Sequence, residues 1–345
     1  MSMPSAAVRP VAINVPDLSP ADDRFVELAP DLLDWIRLTG LPSNIIERHM
    51  PRLRLSRYRA ALQAARAARP GRFVITHLPS MSAVTARALR LLHRRAPHLA
   101  FAFNFTDLPT GRRLDFMRRS LQDVDRFAVF SHYEAPLYAR YFDLDPARLQ
   151  PVIWTQNAPA VQAEPGLAPG APYVCAIGGE GRDFATLLEA VRRIGPALRV
   201  VVIARPHSLI GLDVPDHVEV LTNIASARCW RIATDSMGVL VPLKSRETCC
   251  GHVTLVAAKL LGIPVATTRS EATVEYCEGR AAVLQCDPAD PAAYRLLIDQ
   301  LVQDHAALTA VAQRDAPAER AFHGREHWAD YLRRFVAAHV QPVAG

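Results

Sequence analysis

Short apolar runs alternate with stretches of helical periodicity along the whole chain. An uninterrupted apolar run is typical of a strand that is covered on both faces of a parallel sheet. In the first half the pattern predicts strands at Val11–Asn14, Phe73–Thr76, Leu99–Phe103, Phe127–Phe130 and Leu149–Ile153, and helices near 56–69, 82–95, 112–122 and 134–142. Strands and helices that alternate in this way predict an α/β fold with parallel sheets.

The same alternation restarts after residues 156–172, which are rich in Pro, Ala and Gly and are predicted to form an interdomain linker. Strands are predicted at Tyr173–Ile177, 199–204, 218–221, 237–241, Val265–Thr267 and Ala281–Gln285, and helices at 184–194, 225–233, Thr254–Leu261, 291–303, 305–313 and 325–338. We therefore predict two Rossmann-like, doubly wound domains, 1–155 and 173–320, with a C-terminal segment, 321–345, that returns to the first domain. Its helix places Trp328, Tyr331, Leu332 and Phe335 on one face.

Composition favours a soluble enzyme. The chain has 345 residues, of which 50% are apolar and 21% charged, and this length suits two domains. It contains no apolar run long enough to span a bilayer, and its start lacks the pattern of a secretory leader, so we expect a cytoplasmic protein. The six cysteines show neither CxxC pairs nor zinc spacing, which predicts reduced thiols, mostly buried, and no metal site.

Positive charge is concentrated in the first half. Residues 48–95 contain twelve Arg and no acidic residue, within a formal net charge of +6 for the chain. Such a field attracts phosphate-rich surfaces, so anionic lipids of an inner membrane, or a lipid-pyrophosphate acceptor, are the expected partners. We do not expect nucleic acid, because no aromatic side chains are interleaved with the arginines in a stacking pattern.

Charged residues and a glycine follow the predicted strand at Val239–Val241. The loop contains Lys244 and Glu247 and ends at Gly251, where a helix begins with His252, Val253 and Thr254. The first amides of a helix lack intrahelical acceptors and bind anions, and open α/β sheets bind ligands at the carboxyl ends of their strands. We therefore expect a phosphate site here. His252 could touch the ligand, or it could only cap or pack the helix; Glu247 could bind the ligand or pair with Arg246.

A glycine-rich turn follows the first strand of the second domain. Gly178, Gly179 and Gly181 let a ligand approach the backbone, Arg182 can offer a guanidinium fork to phosphate, and Asp183 is the expected N-cap. The alternative is that the glycines only fit a tight strand-to-helix corner. Two further strand ends, at Arg205 with His207 and at Asn223, are candidates for base or ribose contacts.

Polar residues at strand ends of the first domain are candidates for the acceptor side. His77 follows one predicted strand, and Asn104, Thr106 and Asp107 follow the next. Asp107 could serve as the general base of an inverting reaction, or it could be a turn residue before Leu108 and Pro109.

The second half resembles the donor-sugar domain of GT-B glycosyltransferases, most closely the retaining family-4 type. Glu247 matches the first glutamate of that family's Glu-x7-Glu motif, Ala257 stands at the second, and the Gly-x-Pro-Val stretch follows at Gly262. Arg182 matches the family's basic residue at the glycine turn through its register with Leu187, Leu188 and Ala190. The resemblance implies two domains facing each other across a cleft, with the donor bound to the second. It also implies that Glu247 binds the sugar hydroxyls and that Arg182 and Lys244 assist departure of the diphosphate without a metal. In agreement with this, no Asp-x-Asp pair that could hold a metal lies in a suitable loop.

On this resemblance we predict a glycosyltransferase that moves a sugar from a nucleotide-diphosphate sugar to a glycan or lipid-linked acceptor, with no cofactor. Assembly of bacterial surface polysaccharide or glycolipid is the implied role. The alternatives are a nucleotide-sugar epimerase of the same shape and a non-catalytic glycosyltransferase-like subunit, which the alanine at 257 favours. We expect Arg182→Ala and Lys244→Ala each to weaken nucleotide binding with little change in the melting temperature of the free protein.

Overall fold

The structure is a computed structural model that describes residues 9–17, 25–27, 30–50, 53–168 and 170–339. The chain divides into two compact units, the first formed by Met1–Ile153 with Arg325–Gly345 and the second by Trp154–Gly324. Among the described residues, none of the helices combines the length and apolar character needed to cross a membrane.

The first unit contains a six-stranded parallel sheet in the order β2-β1-β3-β4-β5-β6. Its strands are β1 (Val11–Val15), β2 (Asp34–Arg37), β3 (Arg72–His77), β4 (His98–Phe101), β5 (Arg126–Val129) and β6 (Leu149–Pro151). Its helices are α1 (Ile45–His49), α2 (Leu55–Ala67), α3 (Pro79–Leu91), α4 (Gly111–Leu121) and α5 (Glu134–Phe142). The alanine-rich inner face of α2 packs with Ile13, Val15 and Val74 in a buried core.

The second unit contains another six-stranded parallel sheet, in the order β12-β11-β10-β7-β8-β9. Its strands are β7 (Tyr173–Ile177), β8 (Arg199–Ala204), β9 (Val218–Thr222), β10 (Val239–Val241), β11 (Val265–Thr268) and β12 (Val283–Cys286). Its helices are α6 (Phe184–Ile194), α7 (Ser226–Thr234), α8 (His252–Leu260), α9 (Val274–Cys277), α10 (Pro291–Gln303) and α11 (His305–Phe322). The two sheets and their flanking helices confirm the predicted α/β class with two Rossmann-like halves.

The last helix, α12 (Glu326–His339), belongs to the first unit. The four residues predicted to share one face are all buried there. Trp328 donates its indole N–H to the carbonyl of Ile153 at 2.7 Å and stacks on Phe130, and the ring of Phe335 lies edge-on to Phe73. This aromatic packing fixes the end of the chain against the first sheet.

Several predicted boundaries were wrong for local backbone reasons. β4 ends at Phe101 because Ala102 adopts a left-handed conformation, with φ of 51°. α11 continues past residue 313 to Phe322, through Pro317. Neither β2 nor α1 was predicted. β2 is an edge strand whose residues are exposed or half-buried, so it carries no apolar run.

The segment predicted as a linker, 156–172, has no helix or strand among its described residues and is held on α7. The amide of Gln162 donates to the carbonyl of Ala227, and Arg228 donates to the carbonyl of Gly166. Gly166 lies so close to Ile232 that a Cβ would come within 2.4 Å of its side chain. Up to residue 168 this segment is therefore part of the second unit's surface.

Candidate functional site

The site predicted in the second unit lies at the point where the strand order reverses. β7 and β10 are parallel neighbours in the middle of the sheet, yet the chain runs from β7 outward to β8 and β9 and from β10 outward to β11 and β12. The loops that follow β7 and β10 therefore turn to opposite sides, which opens a crevice at the carboxyl ends of these strands. The glycine turn and the loop from Lys244 to Gly251 are these two loops.

The glycine turn after β7 depends on the absence of side chains at two positions. Gly178 has φ of 137°, and a Cβ there would lie 2.5 Å from Nε of Arg182. A Cβ at Gly179 would lie 2.9 Å from Cγ of Arg205. Asp183 caps α6 as predicted, accepting a hydrogen bond from the amide of Thr186 at 3.0 Å. The turn therefore folds back tightly on its own arginine.

Arg182 is only 8% exposed and joins the two loops. Its guanidinium donates to the carbonyls of Ile177 and Glu180, at 3.2 and 3.3 Å, and to Oγ1 of Thr254 in the first turn of α8, at 3.1 Å. Burial lowers the pKa of this guanidinium below its ordinary value. The arginine and the start of the helix are thus together, as predicted, but most of the guanidinium's donors are already used inside the protein.

α8 begins without a side-chain cap. Its N-cap, Gly251, has φ of 101° and, as a glycine, no side chain that could accept a hydrogen bond from the first turn. Val253 is 53% exposed at this end. The amides of Val253 and Thr254 are therefore placed to bind an anion, and the partial positive charge of the helix N-terminus adds to their attraction.

Three exposed charged residues, Lys244, Arg246 and Glu247, lie in the loop between β10 and α8. The alternative that Glu247 only pairs with Arg246 is wrong, because Arg246 binds Asp287 at 2.6 Å and approaches Glu271 at 3.8 Å. Lys244 and Glu247 are therefore available to a ligand.

The other strand-end candidates lie farther out along the sheet. Arg205 and His207 follow β8 and approach the carboxylate of Glu180 at 4.0 and 3.6 Å, an acidic partner that sequence analysis did not identify. Asn223 is exposed after the edge strand β9 and adopts a left-handed conformation, with φ of 54°. Arg205 is thus beside the glycine turn, whereas Asn223 is two strands away from β7.

His252 faces the interior. It is 4% exposed, its Nε2 lies 2.8 Å from the carbonyl oxygen of Ala272, and its ring packs edge-on to Tyr276. Burial lowers its pKa to about 4, so the ring is neutral at neutral pH. The ring is therefore packed inside the second unit, as the alternative role describes, and contact with phosphate or sugar stays a prediction.

His77 in the first unit is also internal. It is 3% exposed, lies 2.7 Å from Oδ1 of Asn14 through Nε2, and packs against Phe25 and Phe101. Burial lowers its pKa to about 3. The last residue of a fully buried strand points into aromatic packing here, so this side chain has no free path to an acceptor.

Asn104 is held by the buried carboxyl group of Glu134. Glu134 is fully buried and accepts hydrogen bonds from Asn104 at 2.7 Å and from Tyr138 at 2.9 Å. Burial raises the pKa of Glu134 to about 7. The Ser-x-x-Glu spacing from Ser131 is a capping-box signal, and the serine hydroxyl does donate to this carboxyl group.

The loop that follows Asn104 keeps the remaining acceptor-side candidates at the surface. Thr106 is half-buried and Asp107 is exposed. The amide of Phe105, just before Thr106, donates to the hydroxyl of Tyr138 at 3.1 Å, which anchors the loop to α5. Asp107 therefore has the access that a general base needs, and its role stays a prediction.

One sizeable cavity lies away from these strand ends. It measures about 1140 Å³ and is formed in the first unit around Phe73, Arg94, Arg95 and Pro97, where β3 and β4 begin. Open α/β sheets bind their ligands at the opposite, carboxyl edge. We therefore do not assign the candidate site to this cavity.

Comparison with known proteins gives matches in structure but not in sequence. No family model matches the chain, and no curated protein matches it. HepE of Anabaena, in complex with UDP and glucose, aligns over 95% of this chain and all of its own with a TM-score of 0.70 and 11% identity. Sucrose-phosphate synthase of Thermosynechococcus elongatus aligns over the same shares with a TM-score of 0.71 and 13% identity. A glycosyltransferase of Rickettsia africae aligns over 96% of this chain and 98% of its own, with a TM-score of 0.69 and 11% identity.

The chain has the GT-B fold. The likeness extends over both units, so the predicted GT-B fold with two Rossmann-like domains is confirmed. HepE has also been solved with UDP-glucose.

Proposed function

We propose that this GT-B protein is a glycosyltransferase that takes a sugar from a nucleotide-diphosphate sugar. The observation that carries the proposal is the meeting of the glycine turn and the uncapped start of α8, joined by Arg182 and Thr254, at the reversal of the second sheet. Solved structures of the same fold hold UDP and UDP-glucose, which makes UDP the first nucleotide to test.

The positive groups at this site suit a departing diphosphate. Charge develops on the leaving phosphate oxygens as the glycosidic bond breaks, and donors that are already oriented stabilise it without reorganisation. The amides of Val253 and Thr254 supply fixed donors, and exposed Lys244 supplies a mobile charge. Arg182 holds this arrangement in place and keeps its positive charge beside it. None of these contributions requires a metal ion.

Glu247 is the candidate for binding the sugar hydroxyls, because its carboxylate is exposed in the loop after β10. Ala257 is 1% exposed in the middle of α8, so a methyl group buried in the helix stands where the family-4 motif has its second glutamate. We propose a retaining outcome from the resemblance alone. If Asp107 acts as the base, the outcome is inversion, and the anomer of the product decides between them.

The acceptor that we propose is a glycan or a lipid-linked sugar, in the assembly of a bacterial surface polysaccharide or glycolipid. The excess of arginine in the first half favours an acceptor presented at an anionic membrane, with the protein on its cytoplasmic side.

The first test is thermal stabilisation by nucleoside diphosphates and nucleotide sugars. A ligand at about 100 times its Kd stabilises the folded state by about 2.7 kcal/mol. We expect stabilisation by UDP or a UDP-sugar in the wild type, and an approximately tenfold higher Kd in Lys244→Ala, equivalent to about 1.4 kcal/mol. Because Lys244 is exposed, the melting temperature of the free variant should match the wild type.

Arg314→Ala is the matched control. Arg314 is exposed and lies on α11 next to Gln313, which packs against Gly262 at the far end of α8. The Arg314→Ala variant should bind nucleotide like the wild type. Equal loss of affinity in both variants would show a general charge effect and refute the site. Product analysis then separates transfer from the alternatives: an epimerase converts the sugar without releasing UDP, and a binding subunit does neither.

A further inference from the structure

Apolar side chains are exposed on one part of the first unit. Six of its large apolar residues are at least 36% exposed within a single short stretch of chain: Ile45, Ile46, Met50, Leu53, Tyr58 and Leu62. We call these six residues the α1–α2 surface. Isolated exposed apolar residues are ordinary, but a contiguous group marks an interaction site.

Hydrogen bonds and an ion pair connect the members of this surface. The amide of Met50 donates to the carbonyl of Ile46, and the amide of Leu53 donates to that of Met50. Glu47, between Ile46 and Arg48, binds Arg59 of α2 at 2.7 Å, which holds α1 against the turn of α2 that carries Tyr58. These contacts hold α1, Leu53 and the start of α2 together.

α2 divides sharply between its two faces. Ala60, Ala61, Ala64 and Ala65 are completely buried in the core. Tyr58, Leu62 and Arg66, spaced four residues apart, form one exposed stripe on the opposite side. The outer face of α2 therefore adds two apolar side chains and one arginine to the α1–α2 surface.

The charge around these apolar residues has one sign. Arg48, Arg54, Arg66 and Arg69 are exposed on the same two segments. From residue 45 to residue 95 the chain contains one acidic residue, Glu47, which is 6% exposed and tied to Arg59. Apolar groups that enter a lipid interface, flanked by arginines that meet anionic headgroups, are complementary to a bilayer and not to another apolar protein face.

We propose that the α1–α2 surface docks this protein on an anionic lipid bilayer. Ile45, Ile46 and Met50 would enter the headgroup region while the arginines bind lipid phosphates. This deepens the proposed function, because it names the surface through which the enzyme would reach a lipid-linked acceptor. Lipid binding can nevertheless be measured without any sugar transfer.

The test is co-sedimentation of the full-length protein with vesicles of phosphatidylcholine alone or mixed with phosphatidylglycerol. The wild type should bind the mixed vesicles, more weakly at high salt, and should bind neutral vesicles poorly. Ile45→Ser with Ile46→Ser should reduce binding about tenfold or more. Arg48→Gln with Arg66→Gln should reduce it about twentyfold.

A matched apolar control comes from the second unit. Ile210 and Leu296 are 78% and 63% exposed, compared with 70% and 61% for Ile45 and Ile46. Ile210→Ser with Leu296→Ser should bind vesicles like the wild type. Equal loss in both double variants, or full binding by the Ile45 and Ile46 variant, would overturn the proposal. So would binding to duplex or single-stranded DNA in preference to vesicles.

Two measurements keep this test separate from the donor site. The nucleotide response of the Ile45 and Ile46 variant should be intact, and Lys244→Ala should bind vesicles like the wild type. If the Ile45 and Ile46 double variant has a lower melting temperature than the wild type, the single variant Met50→Ser is tested in its place. Its vesicle binding should be about threefold weaker than that of the wild type. Full vesicle binding by a folded Met50→Ser variant would then count against the proposal.

Discussion

Replacing Arg182 with alanine should destabilise the second unit as well as weaken nucleotide binding. This corrects the expectation from sequence that the free protein would melt almost unchanged, because the side chain is buried and donates to two carbonyls and a threonine hydroxyl. Each buried acceptor left without its donor costs about 1 kcal/mol or more. Removing a charge that burial disfavours returns part of this free energy.

We therefore expect Arg182→Ala to lower the free energy of unfolding by about 2–3 kcal/mol. For a unit of this size the melting temperature should fall by about 4–12 °C. Arg205→Ala is the matched control, since Arg205 borders the same glycine turn but is 67% exposed; its stability should change by less than about 0.5 kcal/mol. Urea unfolding followed by circular dichroism measures both. An Arg182→Ala variant as stable as the wild type would refute the inward position of the guanidinium.

Two further predictions concern buried charge. Lys259 donates to Glu319 at 2.8 Å, and Arg280 binds the same carboxylate at 3.0 Å. Lys259→Met should lower the free energy of unfolding by about 2–4 kcal/mol, measured by urea unfolding. The double variant Lys259→Met with Glu319→Gln should recover part of this loss, and no recovery would contradict its origin in the charge pair. Stability should also fall by about 2 kcal/mol between pH 7.5 and pH 5.5. His77, His98 and His252 have folded pKa values of about 3, 3 and 4, below 6.5, so their contribution is complete above pH 6.5 and is lost as the pH falls, by about 4 kcal/mol together. Glu134, raised from 4.5 to about 7, opposes this with a gain of about 2 kcal/mol over the same range. Stability that rises towards pH 5.5 would contradict the burial of these histidines.

Much of the second unit could be predicted from its sequence because its central strands, such as β7, β10 and β11, are buried on both faces. Tyr173–Ile177 and the helices at 184–194 and 291–303 have the predicted bounds, since continuous apolar runs and clear caps mark them. The edge strand β2 carries no such run and was missed. The strand order that brings the two loops together follows from the parallel pairing of β7 with β10.

The direction of individual side chains could not be predicted from residue type and position. Arg182 turns inward because Gly178 leaves room for its guanidinium, and a sequence pattern does not distinguish this from a glycine left open for a ligand. His77 and His252 occupy a strand end and a helix start, where a side chain can face either solvent or core. Their surroundings, Phe25 and Tyr276, come from distant parts of the chain.

The most direct test of the central claim is the position of the diphosphate in a structure of the protein with UDP. We predict phosphate oxygens about 3 Å from the amide nitrogens of Val253 and Thr254, the usual distance for a hydrogen bond from a backbone amide, with the ammonium group of Lys244 turned towards them. A diphosphate bound elsewhere, for example among Arg94 and Arg95 at the amino edge of the first sheet, would contradict the account.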